Sequence, residues 1–310
     1  MYQDYFQFEE PPFSLTPDTS FFLNQQSHRD ALNTMLVALK HCEGFIKIVG
    51  EVGTGKTLLC RILLSRLNSD FVTAYIPNPY LTPEELKGFV AQEINADVTD
   101  EMPAHELMSA VYRRLLQLAR NNKQVVLVVD EAQAMPRETI ECLRLLTNLE
   151  TEKRKLLQVV MLGQPELDSM LSRSDLRQLK QRIIFSENLQ PFSKQGVLDY
   201  IKHRLQSAGN MKGELFSKNA MRLVYYGSGG IPRLINVLAH KALISAYGKG
   251  HRRVNTWHVA KAIADTQESR WIGKLCAVHC RLVSSPVAVH SILALIVMGY
   301  SFPHAFGGGA

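Results

Sequence analysis

GEVGTGKT at residues 50–57 decides the fold. It fits the pattern G-x-x-x-x-G-K-[ST], and its flanks fit as well. A short apolar run at 45–49 leads into it, and apolar residues at helical spacing resume over 58–67. Strand, glycine loop and helix in that order make a phosphate-binding unit. Gly50, Gly53 and Gly55 let the loop, with Glu51, Val52 and Thr54 between them, turn backbone N–H groups inward around phosphate oxygens. The following helix adds its positive N-terminal end. Lys56 would contact the β- and γ-phosphates and Thr57 would ligate Mg²⁺, so ATP and Mg²⁺ are the expected cofactors.

Outward from the loop, short β-branched or leucine-rich runs recur at 72–76, 125–129 and 157–162, each separated from the next by helical stretches. Strands alternating with helices predict an α/β fold with a doubly wound, mostly parallel sheet. Upstream, Ala31, Leu32, Met35, Leu36 and Leu39 fall at three- and four-residue intervals, one face of an amphipathic helix over 28–41. No strand is expected after Phe185. The segments 193–208, 217–227, 231–247 and 255–267 all read as helices, a small all-helical lid domain. Pro11, Pro12 and Pro17 break up the first residues, whose Phe13, Phe21 and Phe22 are free to pack on a neighbour. The expected division is an N-terminal linker at 1–27, a nucleotide-binding domain at 28–190, the lid at 191–268 and a tail at 269–310.

The run Val-Val-Leu-Val-Val at 125–129 leads straight into Asp130 and Glu131, two carboxylates at the C-terminal end of a buried strand. Open parallel sheets bind ligands at that edge. Taken alone, the pair could be a helix N-cap. With a phosphate loop upstream it reads as a Walker B pair: Asp130 would hold Mg²⁺, and Glu131 would orient the attacking water and take its proton. Gln164, one glycine beyond the next strand, should lie beside Asp130 within reach of the γ-phosphate or the water, unless Gly163 and Pro165 make it a turn residue. Arg177 and Arg182 follow the next helical segment, and Arg233 lies in GGIPR at the opening of a lid helix. Each could supply charge to a γ-phosphate, since a guanidinium stays protonated and bonds phosphoryl oxygens bidentately; for Arg177 alone, an ordinary surface arginine is the simpler reading.

With 310 residues and 46% hydrophobic content, the chain can fill the cores of two domains; 21% charged residues exclude both a disordered chain and a multi-span membrane protein. A net charge of +6 favours phosphate or anionic lipid without identifying either, and is also what a solvated basic surface gives. Five irregularly spaced cysteines make no disulfide framework, so a reducing cytoplasm is expected. The first residues lack the basic start and apolar core of a secretory signal, which also places the main body inside the cell. After Glu268 no acidic residue occurs, and 282–310 lacks Asp, Glu, Lys and Arg. Residues 282–302 are long enough to span a bilayer with Arg270, Lys274 and Arg281 on the cytoplasmic side, but Ser284, Ser285, Pro286 and His290 leave a peripheral tail equally open. Cys276, His279 and Cys280 lack a fourth ligand at suitable spacing, so zinc is not expected there.

The ordered set of 50–57, Asp130-Glu131-Ala-Gln, LRLLTNLET at 143–151, GQPEL at 163–167, LRQLKQRI at 176–183 and GGIPRLIN at 229–236 resembles the ExeA family, the general secretion pathway A-type AAA+ ATPases. FSLTPDTSFF at 13–22 is similar to the family's opening, so the resemblance covers about residues 1–268. It implies a Mg²⁺-dependent ATPase that works as a homo-oligomer at the inner face of the cytoplasmic membrane, with pilus or secretion assembly proteins as partners. Gln164 takes the sensor 1 position, a glutamine being a family trait there. Arg182 is implied as a finger acting in trans, with Arg177 as its alternative, and Arg233 as sensor 2. The linker around 13–17 would lie near the adenine. Transposition and replication-initiation ATPases share this motif order, so a DNA-associated module is the competing reading. Nucleic acid is the less favoured partner, because no helix-turn-helix or comparable reader is apparent.

Overall fold

The computed structural model describes residues 2–99, 102–152, 154–210 and 214–269, together with Leu275. The membrane-span reading of 282–302, its basic flank and the Cys276, His279, Cys280 group lie outside the described residues. Among the described residues no helix is long and apolar enough to cross a membrane. The chain divides into two compact units, Asn24–Gln190, and Met1–Leu23 together with the chain from Pro191 onward.

Helix α1 (Tyr2–Phe6) opens the chain and belongs to the second unit. The α/β unit then runs α2 (Gln26–Lys40), β1 (Phe45–Gly50), α3 (Lys56–Arg66), β2 (Phe71–Ile76), α4 (Pro83–Glu93), α5 (Ala104–Arg120), β3 (Gln124–Val129), α6 (Arg137–Leu146), β4 (Leu157–Gly163), α7 (Glu166–Leu171), α8 (Arg177–Lys180) and β5 (Ile183–Leu189). The five strands form one sheet in the order β2-β3-β4-β1-β5, every pair parallel. All seven residues of β4 and the last five of β3 are buried, as strands covered on both faces must be, which is why they read as unbroken apolar runs. Parallel order puts Gly50, Val129 and Gly163, the last residues of β1, β3 and β4, on one sheet edge.

The fifth strand corrects the sequence reading, which ended strand structure at Phe185. Strand β5 continues through Ser186, Glu187 and Asn188 to Leu189, which pairs with Gly50. Those three residues are poor strand formers, and the alternating exposure of β5 is that of a strand at a sheet edge. Its state is set by pairing with β1, and the Thr34 hydroxyl of α2 donates to Glu187 at 2.9 Å.

The helical unit adds α9 (Lys194–Ser207), α10 (Lys218–Ser228), α11 (Pro232–Tyr247) and α12 (Thr256–Ala264) to α1. The first 23 residues, read from sequence as part of a separate linker, belong to this unit's core: Phe6, Phe8, Phe13 and Phe21 are buried with Val197, Ile201 and Phe216. Phe13 stacks edge-on against Phe216, at 5.9 Å between centroids. Arg204 of α9, itself buried, clasps the segment from below. Its Nε donates to the Pro12 carbonyl at 2.5 Å, its Nη2 to that of Ser14 at 3.1 Å, and its guanidinium stacks 4.3 Å from the Phe21 centroid.

In GGIPR, Gly230 has φ +82°, and a Cβ there would lie 2.1 Å from the Phe192 carbonyl oxygen. Gly230→Ala is therefore expected to cost about 3 kcal/mol or more from the left-handed backbone and the backbone clash together. Urea unfolding followed by circular dichroism measures this, with Gly248→Ala as the control, since its Cβ would meet only the Ile244 carbonyl at 3.5 Å. Equal midpoints for the two variants would refute the steric account.

Candidate nucleotide site

The end of β1 and the start of α3 enclose a loop that needs glycine at two positions. A Cβ on Gly50 would meet Thr54 Oγ1 at 2.8 Å and Leu189 Cβ at 2.9 Å. Gly55 caps α3 with φ +100°, a conformation that favours glycine. The Thr54 hydroxyl donates to the Glu51 carbonyl at 2.8 Å, closing the turn. A brace comes from α2: His28, nearly fully buried, donates Nε2–H to the Thr54 carbonyl at 2.8 Å. Burial lowers the His28 pKa against the opposing pull of that carbonyl bond, so at neutral pH the ring is uncharged with its proton on Nε2.

Lys56 is 4% exposed, and its ammonium donates to the carbonyls of Gly50 at 2.8 Å and Glu51 at 3.1 Å, at the mouth of the loop. Burial lowers its pKa, while the charges of Glu131, Asp130, Glu51 and Glu166 oppose that shift. One residue on, Thr57 Oγ1 donates to Asp130 Oδ2 at 2.7 Å. Asp130 is 2% exposed, and its other oxygen accepts the Glu131 N–H at 2.9 Å. Tyr75 of β2 and Cys60 of α3 are both pushed up to about 12, chiefly by burial and in part by the Asp130 charge, so both stay neutral beside it. A half-buried hydroxyl in contact with a buried carboxylate suits a hard divalent cation held by oxygen.

Glu131 stands in the left-handed region with φ +51° and ψ +39°, uncommon for a residue with a Cβ. Its Oε2 accepts from Gln133 Nε2 at 2.6 Å and from Gln164 Nε2 at 2.8 Å. Burial pushes the Glu131 carboxyl up, but the two amides and the Lys56 charge outweigh it, and the pKa lies below the ordinary value. The group is ionised at neutral pH and able to accept a proton.

Residues 50–57, Asp130, Glu131 and Gln164 thus converge on one sheet edge, with the Gln164 amide on Glu131 rather than on Asp130. His28 and Gln133 join them and were missed from sequence. His28 sits in an ordinary amphipathic helix, and only the spacing Asp130-Glu131-Ala-Gln hinted at Gln133. Arg182 lies apart. Arg182 immediately precedes β5, whose Ile183 pairs with Phe45 at the opposite end of β1 from Gly50. Five strand steps separate those ends, about 17 Å. Its Nη1 donates to the Arg144 carbonyl at 3.3 Å and to the Asn148 side-chain oxygen. Arg177 is exposed at the start of α8, and Arg233 is exposed on the first turn of α11 in the helical unit.

The AAA domain family matches residues 40–171. This chain carries an AAA domain. It is also 41% identical over 254 residues to general secretion pathway protein A of Aeromonas hydrophila, an alignment covering 82% of this chain and 46% of that protein. The chain spans about half the length of the curated relative it matches. Around the AAA domain, solved structures share the fold. The Aeropyrum pernix ORC2 protein in its ADPNP–ADP complexes has a TM-score of 0.60 at 16% identity, over 84% of this chain and 75% of that one. The Thermotoga maritima RuvB Holliday junction branch migration motor has a TM-score of 0.51 at 18% identity, over 79% and 70%. At such identities these likenesses to the AAA domain show architecture alone.

Proposed function

We propose that the chain binds ATP with Mg²⁺ at residues 50–57 and hydrolyses it as a homo-oligomer, in the service of type II secretion or of a type IV pilus of the MSHA kind. The observation that carries the reading is the 2.7 Å hydrogen bond from Thr57 to Asp130, which joins phosphate loop and Walker B strand beside an ionised Glu131. A Mg²⁺ ion held by Thr57 and Asp130 would neutralise charge on the phosphoryl oxygens. Lys56 and the loop N–H groups hold the β- and γ-phosphates. Glu131 takes a proton from water as the water oxygen bonds to the γ-phosphorus, and the bond from that phosphorus to the β–γ bridging oxygen breaks, releasing ADP and phosphate. Gln164 keeps the Glu131 carboxylate in place. Arg182 of an adjacent copy and Arg233 of the same chain stabilise the charge on the γ-phosphoryl group.

Phosphate release by the purified full chain with ATP and Mg²⁺ tests the reading. No release above background under conditions where the chain assembles would sink it. The secretion assignment draws on the likeness to general secretion pathway protein A, and the pilus assignment on the resemblance of the motif set to the MSHA-pilus biogenesis protein MshM. In either system the partners are assembly proteins at the inner membrane, reached through the tail. Deleting residues 271–310 is accordingly expected to move the protein from the membrane fraction to the soluble fraction without changing ATP affinity. Full-length protein that is soluble on cell fractionation would refute the anchoring role.

A further inference from the structure

We propose that Gln133 is a positioning residue for hydrolysis: its carboxamide ties the Glu131 carboxylate to the end of β4, holding the base in one orientation. The inference rests on the ATPase reading above. The orientation of the amide follows from its partners. Gln133 Oε1 accepts the backbone N–H of Gln164 at 3.0 Å, so Nε2 must be the atom that meets Glu131 Oε2 at 2.6 Å. Reversing the amide would set oxygen against carboxylate and N–H against N–H. Gln164 Nε2 reaches the same Oε2 at 2.8 Å. Both donors thus converge on one oxygen, and neither uses Oε1, which is left to receive the proton of the attacking water.

Two features indicate that the tie is a purpose of this residue rather than a by-product of the turn. The 3-10 turn Ala132–Ala134 closes through the Ala134 N–H to the Glu131 carbonyl at 2.8 Å, without the Gln133 side chain. Space for the amide is kept by Gly163, where a Cβ would stand 3.1 Å from Gln133 Oε1 and 2.7 Å from Leu167 Cδ2. A Glu131 backbone at positive φ gives its carboxylate a direction that side-chain bonds then have to hold. Misplacing a reacting group by about 1 Å costs on the order of 10²-fold in rate.

Gln133→Ala in the full chain is therefore expected to lower kcat about 10²-fold while the affinity for a fluorescent ATP analogue stays within about two-fold. The isosteric Gln133→Glu keeps the volume and the acceptor for the Gln164 N–H but replaces the donor to Glu131 with a like charge. It should lose at least as much turnover. A kcat within two-fold of wild type for either variant overturns the proposal, as does a loss confined to KM. A readout independent of turnover comes from ¹⁵N-glutamine labelling. The side-chain amide resonance that vanishes in Gln133→Glu should shift in Glu131→Ala, and its failure to shift also overturns the tie. A shift in Glu131→Ala together with a wild-type chain that hydrolyses no ATP supports the tie and refutes the ATPase reading, so the two fail separately.

Discussion

Arg182→Ala is expected to bind ATP almost normally and to lose on the order of 10³-fold or more in turnover, the contribution such arginines make in other nucleotidases. The register Phe45↔Ile183 places Arg182 at the end of the sheet remote from Gly50, about 17 Å along β1. An arginine side chain does not bridge that distance to its own phosphate loop, so in the trans role proposed above a neighbouring copy presents the nucleotide to it. In the isolated chain the guanidinium is held by the Arg144 carbonyl and the Asn148 side chain, bonds that must be exchanged for phosphoryl oxygens on assembly. Mixing Arg182→Ala with Glu131→Gln is the decisive measurement. Each variant retains what the other lacks, so interfaces that pair an intact Glu131 with an intact Arg182 should recover activity. Mixed oligomers that form but stay inactive would remove Arg182 from this role and pass the test to the exposed Arg177.

Lys56→Ala and Glu131→Gln should separate binding from turnover. Removing the Lys56 ammonium deletes the loop's charge-assisted bonds to phosphate and is expected to weaken ATP binding about 10²-fold, equivalent to about 3 kcal/mol. Glu131→Gln leaves the loop and the Thr57–Asp130 contact intact, so the analogue should bind as to wild type. Turnover should fall about 10²- to 10⁴-fold for want of a proton acceptor. Fluorescence titration and phosphate release on the same preparations measure both. Wild-type hydrolysis by Glu131→Gln would show that another group handles the water.

That residues 50–57, Asp130, Glu131 and Gln164 meet at one sheet edge was legible because each follows a buried parallel strand. Such strands read as unbroken apolar runs, and the ligand edge of an open sheet lies where they end. The α/β class followed from the same runs alternating with helical spacing, and the four strands expected at 45–49, 72–76, 125–129 and 157–162 lie within β1 to β4. Strand β5 was cut short at Phe185 because Ser186, Glu187 and Asn188 have no strand preference of their own, and pairing with β1 holds them extended. The first 23 residues looked like a linker because their prolines forbid a long helix; their phenylalanines enter the helical core by packing with residues far along the chain, such as Val197, Ile201 and Phe216. His28 carries no local signal, since a histidine in an amphipathic helix is ordinary, and Gln133 carries only its place in Asp130-Glu131-Ala-Gln. Local spacing therefore determined which loop, carboxylates and amide stand at the ends of β1, β3 and β4. The tertiary structure alone decided which side chains brace the Thr54 carbonyl and the Glu131 carboxylate, because a hydrogen bond between residues 26 or 33 positions apart is set by packing and leaves no period in the sequence.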